Sequence, residues 1–447
     1  MRQRLVNLAL GAALGGAAAW GAPHLLSRAA ASPSQPLALF QAVLDKVDAT
    51  YVDAVDDEKL VRSAVNAMLA SLDPHSAYLD PKTLEEFQQS MKGEQFGGLG
   101  LEVLQESEAI RVVSPIDDTP AARAGMRSGD LIIQIDDTPT KDLTLKQAVD
   151  RMRGTPETSV TLKVLRGPAK ETLDFTIVRE IIHVEPVRSR LEANDIGYIR
   201  ITQFGEHAFD GVKKAVAKFD ASPGRDHIKG FIIDLRNDPG GLLTQAIEVT
   251  NAFVDKGVIV STRGRLADQQ QTYSARPGVD IADGKPVVVL INGGSASASE
   301  IVSGALQDLK RATLIGTRSF GKGSVQTILP LGENGALKLT TARYYTPSGR
   351  SIQAKGIEPD LEVLEDVPDD LKGKDSTLGE ASLRGHLKNG DDEKTGSQAY
   401  VPPDPKDDKQ LIAAIDLIHG TRTPVSTAGE GLPAPNVGAS EPSAAHN

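Results

Sequence analysis

The spacing of apolar and polar positions changes several times along the chain, and each change marks a candidate element. From 36 to about 91 the spacing is helical. Leu37, Leu39, Phe40, Val43, Leu44 and Val47 form one stripe, and Leu60, Val61, Ala64, Val65, Met68 and Leu69 form another. Ser71-Leu-Asp-Pro-His75 breaks the pattern, and Thr83-Leu-Glu-Glu86 predicts a further capped helix. From about 96 to 182 short β-rich runs take over, at 99–104, 110–113, 131–135, 160–165 and 173–178. Residues 120–124 and 145–152 between them suit short helices. From 196 onward the pattern alternates. Apolar strands are predicted at 197–204, 230–235 and 286–291, and helices at 208–219, 242–253 and 301–309. Residues 257–281 predict a polar hairpin, and 324–330 and 337–345 two more strands. Past 365 charge and Pro, Gly and Ser content rise. Only 411–418 predicts another helix, and 429–447 is of low complexity and expected to be disordered.

At 447 residues the chain exceeds what one hydrophobic core usually serves, so more than one domain is expected. With 40% hydrophobic and 24% charged residues it reads as a soluble globular protein. The net charge of -11 argues against general nucleic-acid binding, which needs a basic footprint. Without cysteine there are no disulfides, no thiolate metal sites and no lipidated N-terminal cysteine. Arg2 and Arg4 precede the apolar stretch 5–22, and Ala29-Ala30-Ala31 offers a small-residue cleavage site. Residues 1–31 therefore read as a signal peptide or a membrane anchor, with the body outside the cytoplasm.

The chemistry concentrates between 292 and 326. Asn292-Gly-Gly-Ser-Ala-Ser-Ala-Ser-Glu300 joins a buried strand to a helix start, which sets a serine beside unpaired backbone N–H groups and the positive end of a helix dipole. Ser297 with Glu300 also matches a capping box, so the residues alone leave a structural role open. In the second loop Lys322 lies between Gly321 and Gly323, ahead of a predicted strand. An extended chain there points Lys322, Ser324 and Gln326 from one face. A lysine desolvated at that place loses basicity and can serve a serine as general base. Gly316-x-x-x-x-Gly321-Lys322 approaches a phosphate-binding loop. However, Gly323 stands where a magnesium-binding hydroxyl is needed and a strand follows instead of a helix, so nucleotide binding is rejected.

Gly294-Ser-Ala-Ser-Ala-Ser-Glu-Ile301 together with Phe320-Gly-Lys-Gly-Ser-Val-Gln326 resembles the carboxyl-terminal processing (tail-specific) serine proteases over residues 36–365. That resemblance implies a catalytic Ser297, a Lys322 that follows it by 25 positions, and Gln326 four beyond the lysine. It also implies an oxyanion hole at Arg236-Asn-Asp-Pro-Gly-Gly241, from the amides of Gly240 or Gly241 together with Ala298. Gly97-Gly-Leu-Gly-Leu-Glu102, Ala121-Ala-Arg-Ala-Gly125 and Ser128-Gly-Asp-Leu-Ile132 resemble a PDZ domain. In such a domain Gly98, Leu99, Gly100 and Leu101 take a peptide's terminal carboxylate while the peptide pairs with a sheet edge. Arg166 is a candidate for coupling the PDZ domain to the lysine region, against a solvated surface arginine.

The expected architecture is a multidomain α/β chain. It has a helical region at 36–92, a PDZ domain at 93–182, an α/β serine-protease core at 183–365, and a C-terminal region at 366–447 with a partly disordered tail. The expected function is an exported endopeptidase acting on substrates held by their C-termini. The alternatives are a PDZ scaffold on a catalytically dead protease fold, or an acyl-transfer enzyme of the same architecture. No cofactor, metal or nucleic acid is expected, and membrane contact only through the N-terminal segment. The resemblance implies a homo-oligomer joined by the N-terminal helices and an adaptor protein. None of the eight histidines sits in a motif, which disfavours a histidine triad.

Overall fold

The computed structural model describes residues 35–92, 96–106, 109–115, 119–127, 130–143, 145–166, 171–182, 186–278, 280–369, 377 and 379–421. The expected signal or anchor at 1–31, Ser128-Gly129 of the PDZ resemblance and the low-complexity tail lie outside these residues. Among the described residues no helix is long and apolar enough to cross a membrane.

The chain divides into two compact units, residues 1–64 and 65–447. In the first, helix Gln35–Thr50 buries none of its residues, and Leu37, Leu39, Phe40 and Val43 are exposed along it. Helix Asp57–Ala70 starts with Asp57 and Glu58, acidic groups at the positive end of the dipole, and Glu58 pairs with Arg62 one turn on.

In the second unit, residues 77–79 depart from the helical expectation. Ala77–Leu79 is a strand, too short to show a period of two, and it pairs antiparallel with Ala336–Tyr345. The β-rich runs fold as expected into a sheet in the order Leu101–Glu106, Ala109–Pro115, Leu131–Ile135, Ser159–Arg166, Glu171–Val178, with helices Pro120–Arg123 and Leu145–Met152. Its core gathers Leu99, Ile110, Val112, Ile132, Ile135, Leu162 and Val164 among others. Leu101–Glu106 is the outermost strand, so among the described residues one of its edges is unpaired within the sheet.

The α/β core is a six-stranded sheet in the order Val187–Glu192, Ile196–Ile201, Gly230–Asp234, Val287–Ile291, Thr313–Gly316, Leu361–Glu362, parallel after the first pair. Both faces are covered, which is why the central strands read as unbroken apolar runs. Ile199, Ile233, Val289 and Leu314 face helices Ala208–Phe219, Leu243–Asn251 and Ala298–Asp308. Tyr198, Ile232, Val288 and Ile315 face helix Lys409–Ile418. A second, antiparallel sheet holds Ser324–Pro330, Ala336–Tyr345, Val258–Gly264 and Gln271–Ser274.

Residues 379–421 pack against the protease core, and the helix expected at 411–418 forms as Lys409–Ile418. Gln398 O and Ala399 O accept from Gly293 N and Asn292 Nδ2, and Glu380, Asp408 and Gln410 are buried. The reason is electrostatic. Arg236, fully buried, donates through Nη1 and Nη2 to Asp408 at 2.9 and 2.8 Å and through Nε and Nη2 to Asp234. Burial alone would raise Asp234, but Arg236 and Arg200 hold it well below the usual carboxylate range. Asp408 also caps the last helix by accepting from Leu411 N at 2.8 Å. Asp408→Ala removes both contacts and is expected to cost about 3 kcal/mol, because a buried guanidinium loses one of its two carboxylates. Urea unfolding monitored by circular dichroism checks this; a change within about 0.5 kcal/mol, the range of ordinary surface substitutions, would contradict it.

Candidate active site

Strands Gly230–Asp234 and Val287–Ile291 are parallel neighbours, so the turns that follow them lie side by side, outside the carboxyl ends of the sheet. Asn292 ties the two turns together. Its Oδ1 accepts from Asn237 N at 2.8 Å and Gly294 N at 2.9 Å, and its Nδ2 donates to Asn237 Oδ1 at 3.0 Å. The three alternate serines then part company. Ser295 Oγ donates to Leu235 O at 2.8 Å and Ser299 Oγ to Asp238 O at 3.0 Å. Ser297, at φ 55° and ψ −110°, makes no side-chain cap hydrogen bond. The N–H groups of Glu300 and Ile301 go to the Ser297 backbone carbonyl, each at 3.0 Å, and among the described residues the Ser297 hydroxyl donates to no group.

Glu300 does more than cap. Its Oε2 accepts from Ser297 N and Lys322 N, both at 2.8 Å, and its Oε1 from Gly321 N at 2.7 Å and Ser319 Oγ at 2.5 Å. Burial pushes this carboxyl up to about 7 against the pull of those four donors. The capping-box pattern pointed to Glu300, but only the fold reveals that its other three donors come from the lysine loop.

Lys322 is half-buried beside the turn. Its Nζ donates to Gln326 Oε1 at 2.6 Å and approaches Ser324 O at 3.5 Å. Gln326 Nε2 in turn donates to Ser324 Oγ at 2.9 Å, so the three side chains share one face as the alternation predicts. Loss of water, with Lys338 nearby, lowers the ammonium to about 8.

The glycines of the neighbouring turn divide their roles. Gly240, at φ 95°, packs so tightly that a Cβ would lie 2.6 Å from Ala296 O and 2.8 Å from Ser297 Cβ. Its N–H is taken by Asp238 Oδ1 at 2.8 Å, and its carbonyl accepts from Phe204 N at 2.9 Å. Among the described residues Gly241 N and Ala298 N find no such partner. Asp238 Oδ2 is buried without a partner, and burial raises the carboxyl to about 8, opposed by the Gly240 amide and Arg200. Asp238 escaped the sequence analysis because an acidic residue in a turn normally signals solvent.

In the PDZ-like domain, Gly98 ends a short strand paired with Glu180–Ile182; Gly98, Leu99 and Gly100 are buried and Leu101 half-buried, and Leu99 O accepts from Ala121 N at 2.8 Å. Gly100 takes φ 77°, with the Thr119 side chain about where its Cβ would lie. Arg166 is occupied inside this domain. Its Nε and Nη2 donate to Asp130 at 2.7 Å each, Nη2 also reaches Gly125 O at 2.9 Å, and the guanidinium lies over Phe175. This ion pair ties Arg166 to its own domain. Among the described residues no cluster of His, Cys, Asp or Glu could hold a metal ion. His75 pairs with the buried Glu380 at 2.8 Å, and His183 lies outside the described residues.

Three family descriptions match the chain: Peptidase family S41 over 195–363, PDZ domain over 111–166, and Activating protease CtpB N-terminal domain over 24–83. These define a PDZ-bearing serine peptidase of family S41. A carboxy-terminal-processing protease of Bartonella bacilliformis is 54% identical over 389 residues, spanning 87% of this chain and 89% of that one. A carboxyl-terminal-processing protease of Synechocystis is 37% identical over 309 residues, 68% and 70% of the two chains. A solved S41-protease structure from Bacteroides fragilis shares the fold, with a TM-score of 0.51 at 16% identity over 85% of this chain and 98% of its own. The chain belongs to the carboxy-terminal-processing proteases of family S41.

Two outcomes follow from the buried carboxyls. Glu300→Gln turns a group that accepts from four donors into one that accepts with one atom and donates with the other. It should destabilise the fold by about 2–4 kcal/mol through unsatisfied donors, measured by urea unfolding, whereas a loss under about 0.5 kcal/mol would contradict the clamp. For Asp238 the folded value lies far above the ordinary 3.8, so its neutral form is favoured and stability is lost as pH rises from about 4 through 8. Asp238→Asn should therefore start close to wild type near pH 4, gain on it steadily between about pH 5 and 8, and hold that advantage at about pH 9. Stability curves that run parallel between those pH values would refute a buried neutral acid.

Proposed function

We propose that this protein is an exported endopeptidase that grips substrate C-termini with its PDZ domain and cleaves them with a Ser297–Lys322 dyad. The observation that carries the reading is the contrast among the three serines. Two are bound to backbone carbonyls, and Ser297 stands free at a positive φ with a desolvated lysine in the adjoining loop. Neutral Lys322 takes the proton from Ser297 Oγ as it attacks the peptide carbonyl and returns it to the leaving amine. Gln326 fixes Nζ by the 2.6 Å hydrogen bond. The uncommitted amides of Gly241 and Ala298 receive the oxyanion, whereas the Gly240 amide holds the turn through Asp238.

Gly98, Leu99, Gly100 and Leu101 would take the terminal carboxylate, with the peptide adding to the unpaired edge of Leu101–Glu106. The exposed apolar stripe of Gln35–Thr50 supports self-association, and an adaptor protein is the further partner we expect. Export rests on Arg2, Arg4, the apolar stretch 5–22 and the Ala29-Ala30-Ala31 site.

The test is cleavage of an unfolded protein with a free apolar C-terminus. Ser297→Ala and Lys322→Ala should each lower kcat by at least about 10³-fold with unchanged circular dichroism. Wild-type kcat/KM should climb about tenfold per pH unit below the lysine's pKa of about 8 and level above it, since the neutral amine is the base. Equal cleavage by wild type and both variants would sink the dyad.

A further inference from the structure

Gln326 orients Lys322, and it is itself oriented by residues outside the motif. Its Nε2 donates to Thr340 Oγ1 at 3.2 Å as well as to Ser324. Thr340 stands opposite Gln326 in the register of the adjoining strand, and its hydroxyl donates to Asp73 Oδ1 at 3.1 Å. Asp73 belongs to the Ser71–His75 turn that interrupts the N-terminal helices, and it is buried. Its Oδ1 also accepts from His75 N and Ser76 N at 2.9 Å each, and its Oδ2 from Ser76 Oγ at 2.7 Å. Ser76 Oγ then accepts from Thr340 N at 3.1 Å and lies 3.4 Å from Thr340 Oγ1. Burial would raise Asp73, but the hydrogen bonds from Ser76, His75 N and Thr340 outweigh it and keep the carboxylate ionised.

An ionised carboxylate only accepts. Thr340 therefore spends its single proton on Asp73 and can only accept from Gln326. The amide nitrogen of Gln326 must then face Thr340 and its carbonyl must face the lysine. We propose that Asp73 and Thr340 set the direction of this hydrogen-bond chain and so hold the Gln326 carbonyl, not its amide nitrogen, against Lys322. The consequence is chemical as well as geometric. A flipped amide would donate an N–H to the lone pair of neutral Lys322, the same lone pair that must receive the serine proton. Asp73 and Thr340 are thus positioning residues. The inference rests on the reading of Lys322 as general base.

The groups whose charge bears on Lys322 are Lys338, Glu380, Glu300 and Asp73, with His75 paired to Glu380. Lys338 lowers it and the three carboxylates raise it, so removing the Asp73 charge shifts it further down. This separates direction from charge. Thr340→Val frees Gln326 to flip and leaves Asp73 ionised. Thr340→Ser keeps the hydroxyl. Asp73→Asn keeps an acceptor for Thr340 and removes the charge.

The experiment measures kcat and KM against pH for the full chain and these variants, with Lys322→Ala alongside, on an unfolded protein ending in apolar residues. Thr340→Val should lower kcat by about 10²-fold with little change in KM, as expected of a misplaced catalytic group. Thr340→Ser should restore it. Asp73→Asn should move the rising limb of activity to lower pH while Thr340→Ser leaves it in place. Equal losses in Thr340→Val and Thr340→Ser with an unmoved limb in Asp73→Asn would overturn the inference, as would wild-type kinetics in all three beside an inactive Lys322→Ala. Wild-type activity in Lys322→Ala would overturn the base assignment and this inference with it. The Asp73→Asn limb keeps the test decisive should Thr340→Val fail to fold.

Discussion

The carboxylate of Glu300 joins the serine turn to the lysine loop, whose backbones also meet where Phe320 N donates to Ser295 O at 2.9 Å. It rises from the first turn of helix Ala298–Asp308 and gathers Ser297 N from its own turn and Lys322 N, Gly321 N and Ser319 Oγ from the other. A non-glycine residue at positive φ is sustained only where its surroundings over-determine it, and Ser297 is such a residue. Glu300 supplies part of that restraint from below, and Gly240, pressed against Ser297 Cβ, supplies part from the side. Burial and hydrogen bonding pull the Glu300 carboxyl in opposite directions, so the clamp is strongest where it is ionised.

Around this joint the polar groups are arranged by how completely they are paired. Asp234, Arg236 and Asp408 form a closed ionic cluster that binds the last helix to the sheet. Asp238, two residues on, has one satisfied oxygen and one orphan, and burial answers by favouring its neutral form. Ser295, Ser299 and Asn292 spend their side chains on the two turns. Among the described residues of this crowded region, the Gly241 and Ala298 amides and the orphan oxygen of Asp238 are left uncommitted beside the Ser297 hydroxyl, while the lysine is held by Gln326.

Much of this was legible in the sequence, because strands buried on both faces and amphipathic helices carry strong periodic signals. Helices Ala208–Phe219 and Leu145–Met152 and strands Leu131–Ile135 and Ser324–Pro330 fall where the pattern puts them. The grouping of Lys322, Ser324 and Gln326 on one face was legible for the same reason. What the pattern could not carry were pairings between distant segments. Ala77–Leu79 is a strand only because Ala336–Tyr345 offers an edge, and the burial within residues 379–421 depends on Arg236 and on backbone groups far away in sequence. Asp73, Asp238 and Glu380 are acidic residues in irregular segments. Nothing local distinguishes them from surface charges until the fold surrounds them.

The interlacing of the C-terminal segment with the site has a bearing on timing. Phe320 O waits for Glu380 N, Gly323 N is held by Gln353, whose amide is held by Glu380, and Asn292 and Gly293 bond to Gln398 and Ala399. A chain emerging in order from its N-terminus therefore presents the serine turn and the lysine loop long before the groups that brace them. The bracing of both loops is therefore non-local in sequence, and shortening the chain from its C-terminal side reaches the braces of the site before it reaches the site itself.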